Sequence, residues 1–95
     1  MSLRGESIFR ALADDRRRSI LAMLRHHELP AGTVADRLGL SPATASHHLS
    51  ILRQAGLVRA RRDGRLRIYT LNASVVEEAL ILLTGLLRPA GEHDS

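Results

Sequence analysis

Residues 41–58 read SPATASHHLSILRQAGLV, and the two ends and two faces of this stretch decide the fold. Ser41 before Pro42 is a helix start, because a serine hydroxyl accepts a backbone N–H left unpaired at a helix end and proline suits the first turn. Gly56 supplies the stop. Wound at 3.6 residues per turn, Ala45, Leu49 and Leu52 fall on one face and point to a core. Ala43, Ser46, His47 and Ser50 fall on the opposite face, which is small, uncharged and rich in hydrogen-bonding groups. A face that is only solvated is normally built from Glu, Lys and Arg, whose helix propensity exceeds that of Ser. Short polar side chains let a helix enter the DNA major groove and bond to base edges there. The stretch therefore reads as a recognition helix.

Charge distribution supports a nucleic-acid partner. The 95 residues carry a net charge of +4, and all 14 basic residues are arginine, whose planar fork pairs with phosphate and guanine. From Arg53 to Arg67 six arginines face one acid, Asp63, so that segment holds +5 and the remainder −1. The basic charge is a patch rather than a background.

Composition narrows the remaining classes. A chain of this length is one small domain, spanning 1–95, which buries roughly 60–65% of its unfolded surface. With one Phe, one Tyr and no Trp, its core must be aliphatic. The absence of cysteine excludes disulfides, thiolate metal sites and thiol redox sensing. MSLRGES lacks the apolar run of a signal peptide, and the most apolar stretch, 79–87, is too short to span a bilayer. The expectation is a cytoplasmic protein with no membrane partner.

Upstream, Ser7 to Ala13 reads as a short helix with Ile8, Phe9 and Leu12 on one side. Asp14 and Asp15 begin a second helix, from about Arg16 to Arg25, striped by Ile20, Leu21 and Leu24. His26 and His27 end it; helical neighbours point about 100° apart, so a favourable cation at a helix C-terminus explains them better than a metal pair. Leu29 to Leu40 reads as a third helix, begun near Pro30, with Val34, Ala35 and Leu38 inward and Gly39 as a left-handed stop. Two short helices joined through such a turn make a helix-turn-helix, with the second helix as the reader.

Beyond Gly56 the hydrophobic period changes to two. Val58 and Ala60 alternate with Arg59 and Arg61; Leu66 and Ile68 alternate with Arg65, Arg67 and Tyr69. A two-residue loop at Asp63-Gly64 would pair Arg61 with Leu66 and Arg59 with Ile68, mixing charge and core. A three-residue loop, 62–64, pairs Ala60 with Leu66 and Val58 with Ile68, and gathers Arg59, Arg61, Arg65 and Arg67 on the other face. Like charges opposite one another are destabilising, so such a face wants an anion, with phosphate the obvious one. The competing reading is a set of solvated charges that discourage edge pairing.

Asn72 or Ser74 caps a last helix running to about Arg88. Val75, Val76, Ala79, Leu80, Ile81, Leu82, Leu83, Leu86 and Leu87 surround it almost completely, which predicts a dimer built on this helix, assisted by the first. The tail, 89–95, is polar and expected to be disordered.

The segments FRALADDRRRSIL, SPATASHHLSILRQAGLV and RRDGRLRIYTLN together resemble the ArsR family of bacterial winged helix-turn-helix repressors, and within it the cysteine-free SdpR-like autorepressor branch. The resemblance covers Ile8 to Leu87. It implies a mainly α fold with a β-hairpin, and a homodimer paired through the first and last helices on a palindromic operator. Thr44, Ser46, His47 and Ser50 would approach base edges, with Arg53 beside them. The hairpin would be a wing contacting backbone or minor groove through Arg61, Arg62, Arg65 and Arg67. The chain departs from the family's metal sensors in having no cysteine pair and no histidine on the last helix, so neither metal nor cofactor is expected. Asp14, Asp15, Arg16 and Arg17 stand where the family often has Asp-Pro-Thr-Arg. His48 matches the family's histidine before leucine and reads as a packed residue.

Neither His47 nor His48 has a Ser, Asp or Cys partner at a catalytic spacing, and no enzyme is expected. The leading function is a DNA-binding repressor of double-stranded DNA. An adaptor using the apolar last helix, or a repressor with an unidentified small molecule at the dimer interface, are the alternatives.

Overall fold

The computed structural model describes residues 3–88, with side chains from residue 5 onward; the expected tail, 89–95, lies outside the described residues. The elements run α1 (Leu3–Leu12), α2 (Asp15–Leu24), β1 (Leu29–Pro30), α3 (Ala31–Leu38), α4 (Pro42–Gln54), β2 (Val58–Asp63), β3 (Leu66–Leu71) and α5 (Ala73–Leu86). This is the mainly α winged helix-turn-helix that was anticipated, with one strand more.

Local chemistry explains most boundaries. The Asp14 carboxylate accepts from the backbone N–H groups of Arg16 and Arg17 and caps α2. The Ser41 hydroxyl accepts from the N–H of Thr44, with Pro42 in the first turn of α4. Helices α3 and α4 end in the same closure. Leu40 N–H bonds to the Ala35 carbonyl and Gly39 N–H to Asp36; Leu57 N–H bonds to Leu52 and Gly56 N–H to Arg53. These are the paired bonds of a Schellman stop, which needs a left-handed residue, and Gly39 and Gly56 sit at φ +63° and +79°. α1 starts earlier than expected and contains Gly5, a weak helix former that is buried here.

The core is one aliphatic cluster. Ile8 of α1, Ile20 of α2, Val34 of α3, Leu49 and Leu52 of α4, and Leu57 after it are all fully buried. At about 1.5–3 kcal/mol of transfer free energy for each large aliphatic side chain, these six residues hold three helices, α1, α2 and α3, around α4.

Two expectations fail at the sheet. The third helix does begin at Pro30, which is the N-cap of α3, but Leu29 is not part of it; Leu29 and Pro30 form an edge strand in a sheet ordered β1-β3-β2, with Leu29 opposite Tyr69 and Pro30 opposite Ile68. Proline is tolerated there because an edge strand has an unpaired side. The hairpin register also differs from the expected one. Val58 pairs with Leu71, Ala60 with Tyr69, Arg61 with Ile68, Arg62 with Arg67 and Asp63 with Leu66, so the loop is Gly64-Arg65. Gly64 has φ +62° and no described non-glycine residue has positive φ, the signature of a tight turn with glycine first. The physical reason is Tyr69. It is 5% exposed and joins the core cluster with Val58, so β3 turns Tyr69 and Leu71 toward the helices, while Ile68, on the other face, is buried as well beside the β1 edge strand. A shift of one residue moves a strand's whole apolar set to the other face. Leu66 is consequently half exposed.

Candidate DNA-binding face

α4 presents the two faces that its sequence implies. Ala45, His48, Leu49 and Leu52 are buried, while Ala43, Ser46, His47, Ser50, Arg53 and Gln54 are exposed. Thr44 is half buried. Its Oγ1 accepts from the Ser41 hydroxyl at 2.9 Å, which leaves its own hydroxyl proton free to donate outward. The resulting surface is a row of short hydrogen-bonding groups ending in a guanidinium.

The two adjacent histidines divide. Their rings lie 5.9 Å apart and tilted by 56°, with His47 exposed and His48 6% exposed. His48 Nδ1 is 3.3 Å from Arg17 Nη1. Burial pushes the His48 pKa below its ordinary value, and the nearby Arg17 charge adds to this against the opposing pull of Asp14. A guanidinium can only donate, so in this contact His48 Nδ1 is the acceptor. Partial desolvation pushes the Asp14 carboxyl upward, but bonds from the Arg16 and Arg17 N–H groups and the neighbouring positive charges leave it below the usual carboxylate value. Among the described residues no group of three metal-ligating side chains comes together.

The wing distributes its arginines differently from expectation. Arg59 and Arg61 share one face, Arg62 and Arg67 lie directly opposite each other on the other, and Arg65 occupies the turn. The expected gathering of Arg59, Arg61, Arg65 and Arg67 therefore does not occur, because it depended on the displaced register. Arg61 is held by an ion pair with Glu28, just before β1, with both side chains about half exposed. Arg62 and Arg67 have no ion-pair partner among the described residues. Sequence reasoning missed Glu28 and Arg17, since each meets its partner only through chain separations of 31 to 33 residues. Arg17 did carry one signal, as the arginine of the Asp-x-x-Arg turn.

The described residues include no helix long and apolar enough to cross a membrane. Residues 8–61 match the family described as a helix-turn-helix domain. The chain is 35% identical over 88 residues to the transcriptional repressor SdpR of Bacillus subtilis, covering 93% of this chain and 97% of that one. It is 36% identical over 91 residues to the transcriptional activator HlyU of Vibrio cholerae, covering 96% and 84%. This chain belongs to the ArsR family. An ArsR-type fold is shared with the homodimeric winged helix-turn-helix DNA-binding domain of a possible ArsR-family regulator from Mycobacterium bovis, at a TM-score of 0.74 and 30% identity over 87% of this chain and 78% of that one. Membership of the ArsR family makes the chain a DNA-binding transcriptional regulator and not an enzyme. Its helix-turn-helix is the pair α3 and α4, and its wing is β2 and β3.

Proposed function

We propose that the protein is a cytoplasmic homodimeric repressor that binds a palindromic operator. The observation that supports this reading is the exposed polar face of α4, where Ser46, His47 and Ser50 make no side-chain hydrogen bond among the described residues; short polar groups of this kind can meet base edges. Thr44 and Arg53 flank them. Arg62, Arg65 and Arg67 of the wing take phosphate or the minor groove, and Arg61 does so in competition with Glu28.

The dimer is built on α5 with α1 beside it. In a single chain Leu80, Ile81, Leu86 and Leu87 are 60%, 70%, 74% and 83% exposed, and water-exposed apolar area of that extent on one helix is what a second copy covers. Two reading helices related by a twofold axis recognise half-sites about one helical turn apart, roughly 10 base pairs. The test is selection of bound DNA from a random pool at near-physiological salt. A palindrome with that spacing supports the proposal; recovery of no preferred sequence refutes it.

A further inference from the structure

The Arg17 guanidinium joins three elements. Its Nε donates to the Ala11 carbonyl at 2.7 Å and its Nη2 to the Arg10 carbonyl at 2.9 Å, at the end of α1. Its Nη1 reaches His48 Nδ1 on α4. The last carbonyls of a helix have no partner within it, so the guanidinium closes the end of α1. Arg18 completes the closure by donating to the Leu12 carbonyl at 2.6 Å. One rigid fork, itself part of α2, thus ties the helix that borders the proposed dimer interface to the helix that reads DNA. His48 sits next to His47 on α4, so movement of its backbone moves the exposed face directly.

We propose that Arg17 and His48 are positioning residues that set the angle of the reading helix, and that DNA affinity falls in acid because this link requires an unprotonated His48 Nδ1. A protonated ring offers a donor where the guanidinium already donates, and places two cations side by side. The groups that face His48 are Asp14, Arg16 and Arg17 at the start of α2 and His47 on α4. Asp14 alone favours the cation, and it is already committed to the N–H groups of Arg16 and Arg17. α1 contributes only the carbonyls of Arg10 and Ala11, which bind the guanidinium rather than the ring. This inference rests on the DNA-reading role of α4 and adds a dependence which that role does not require.

The test compares the wild-type protein with His48→Asn, whose amide oxygen stands near the Nδ1 position and accepts at every pH. Affinity for the duplex recovered by random-pool selection is measured at constant ionic strength from about pH 8 to about pH 5.5. His47 is present in both proteins, so the ratio of their affinities isolates His48. The wild-type affinity relative to the variant is expected to fall once His48 takes up a proton, by up to about tenfold per subunit per pH unit. Parallel profiles overturn the proposal. Arg17→Lys cannot span two carbonyls and a ring nitrogen, and should weaken binding with an unchanged salt slope. A slope reduced by about 0.9 per subunit would instead make Arg17 a phosphate contact and overturn its positioning role. Long-range proton–nitrogen spectra of the DNA-free protein should show the His48 proton on Nε2; a proton on Nδ1 overturns the proposal. That measurement stands even where the protein selects no DNA, an outcome that refutes the DNA-reading role instead.

Discussion

Arg62 and Arg67 face each other across the hairpin, exposed and without an ion-pair partner among the described residues, and this arrangement makes opposite demands on the free and bound protein. Like charges directly opposed on a sheet are destabilising by roughly 0.2–1 kcal/mol. Arg67→Thr removes the repulsion and keeps a residue suited to a strand, so the free protein should gain about that much stability in chemical denaturation. Binding should weaken for the same reason. Each phosphate contact contributes about 0.9 to the slope of log affinity against log salt, so losing one per subunit lowers a dimer's slope by about 1.8. Between 50 and 200 mM salt, a fourfold change, the variant's affinity should vary about twelvefold less than that of wild type. The two binding curves should therefore converge as salt rises. Fluorescence anisotropy with a labelled duplex at several salt concentrations measures this directly. An unchanged slope, or a variant less stable than wild type, would refute the assignment of the pair to phosphate.

Other outcomes follow from the same geometry. Glu28→Gln frees Arg61 from its ion pair and should tighten DNA binding while steepening the salt slope by about 0.9 per subunit. Ile81→Glu places a charge on the exposed face of α5 and should yield a folded monomer, seen as a halved mass in sedimentation with an unchanged circular dichroism spectrum. Ser41→Ala removes the cap of α4 and should cost about 1 kcal/mol of stability. Stability should fall with acid in two stages. The folded-state pKa of His48 is lowered, so the unfolded chain takes up the proton first and stability declines as pH drops below the ordinary value of 6.5. Asp14 is also lowered, so the stability it provides above 3.8 is lost as pH falls through its folded value. Thermal unfolding of wild type and His48→Asn across this range separates the stages, and only the upper one should vanish in the variant.

The start and end of α4 were legible because their signals are local. Ser41, Pro42, Gly39 and Gly56 act through bonds within a few residues, and those bonds form in any context that permits the helix. The face of α4 was legible for a related reason: a 3.6-residue period admits one burial pattern, and Ala45, Leu49 and Leu52 leave no other inward side. The family resemblance added the overall order of elements, which the local signals alone only suggest.

The wing was different. Both strands alternate, and alternation is compatible with either face until something outside the hairpin chooses one. Leu29 and Pro30 pair with Tyr69 and Ile68 across nearly 40 residues of chain, and the helices leave a place for the Tyr69 ring in the core. Those long-range contacts selected the register, moved the turn to Gly64-Arg65 and set Arg62 against Arg67. The Arg61–Glu28 pair and the Arg17 link to His48 arose in the same way, from side chains that become neighbours only after the sheet and helices have packed. Caps, stops and helical faces are thus properties of the amino-acid order, because their partners lie within one turn. Which wing arginines lack an ion-pair partner, and which contacts tie α4 to α1 and α2, are properties of the packed fold, because their partners lie in other elements.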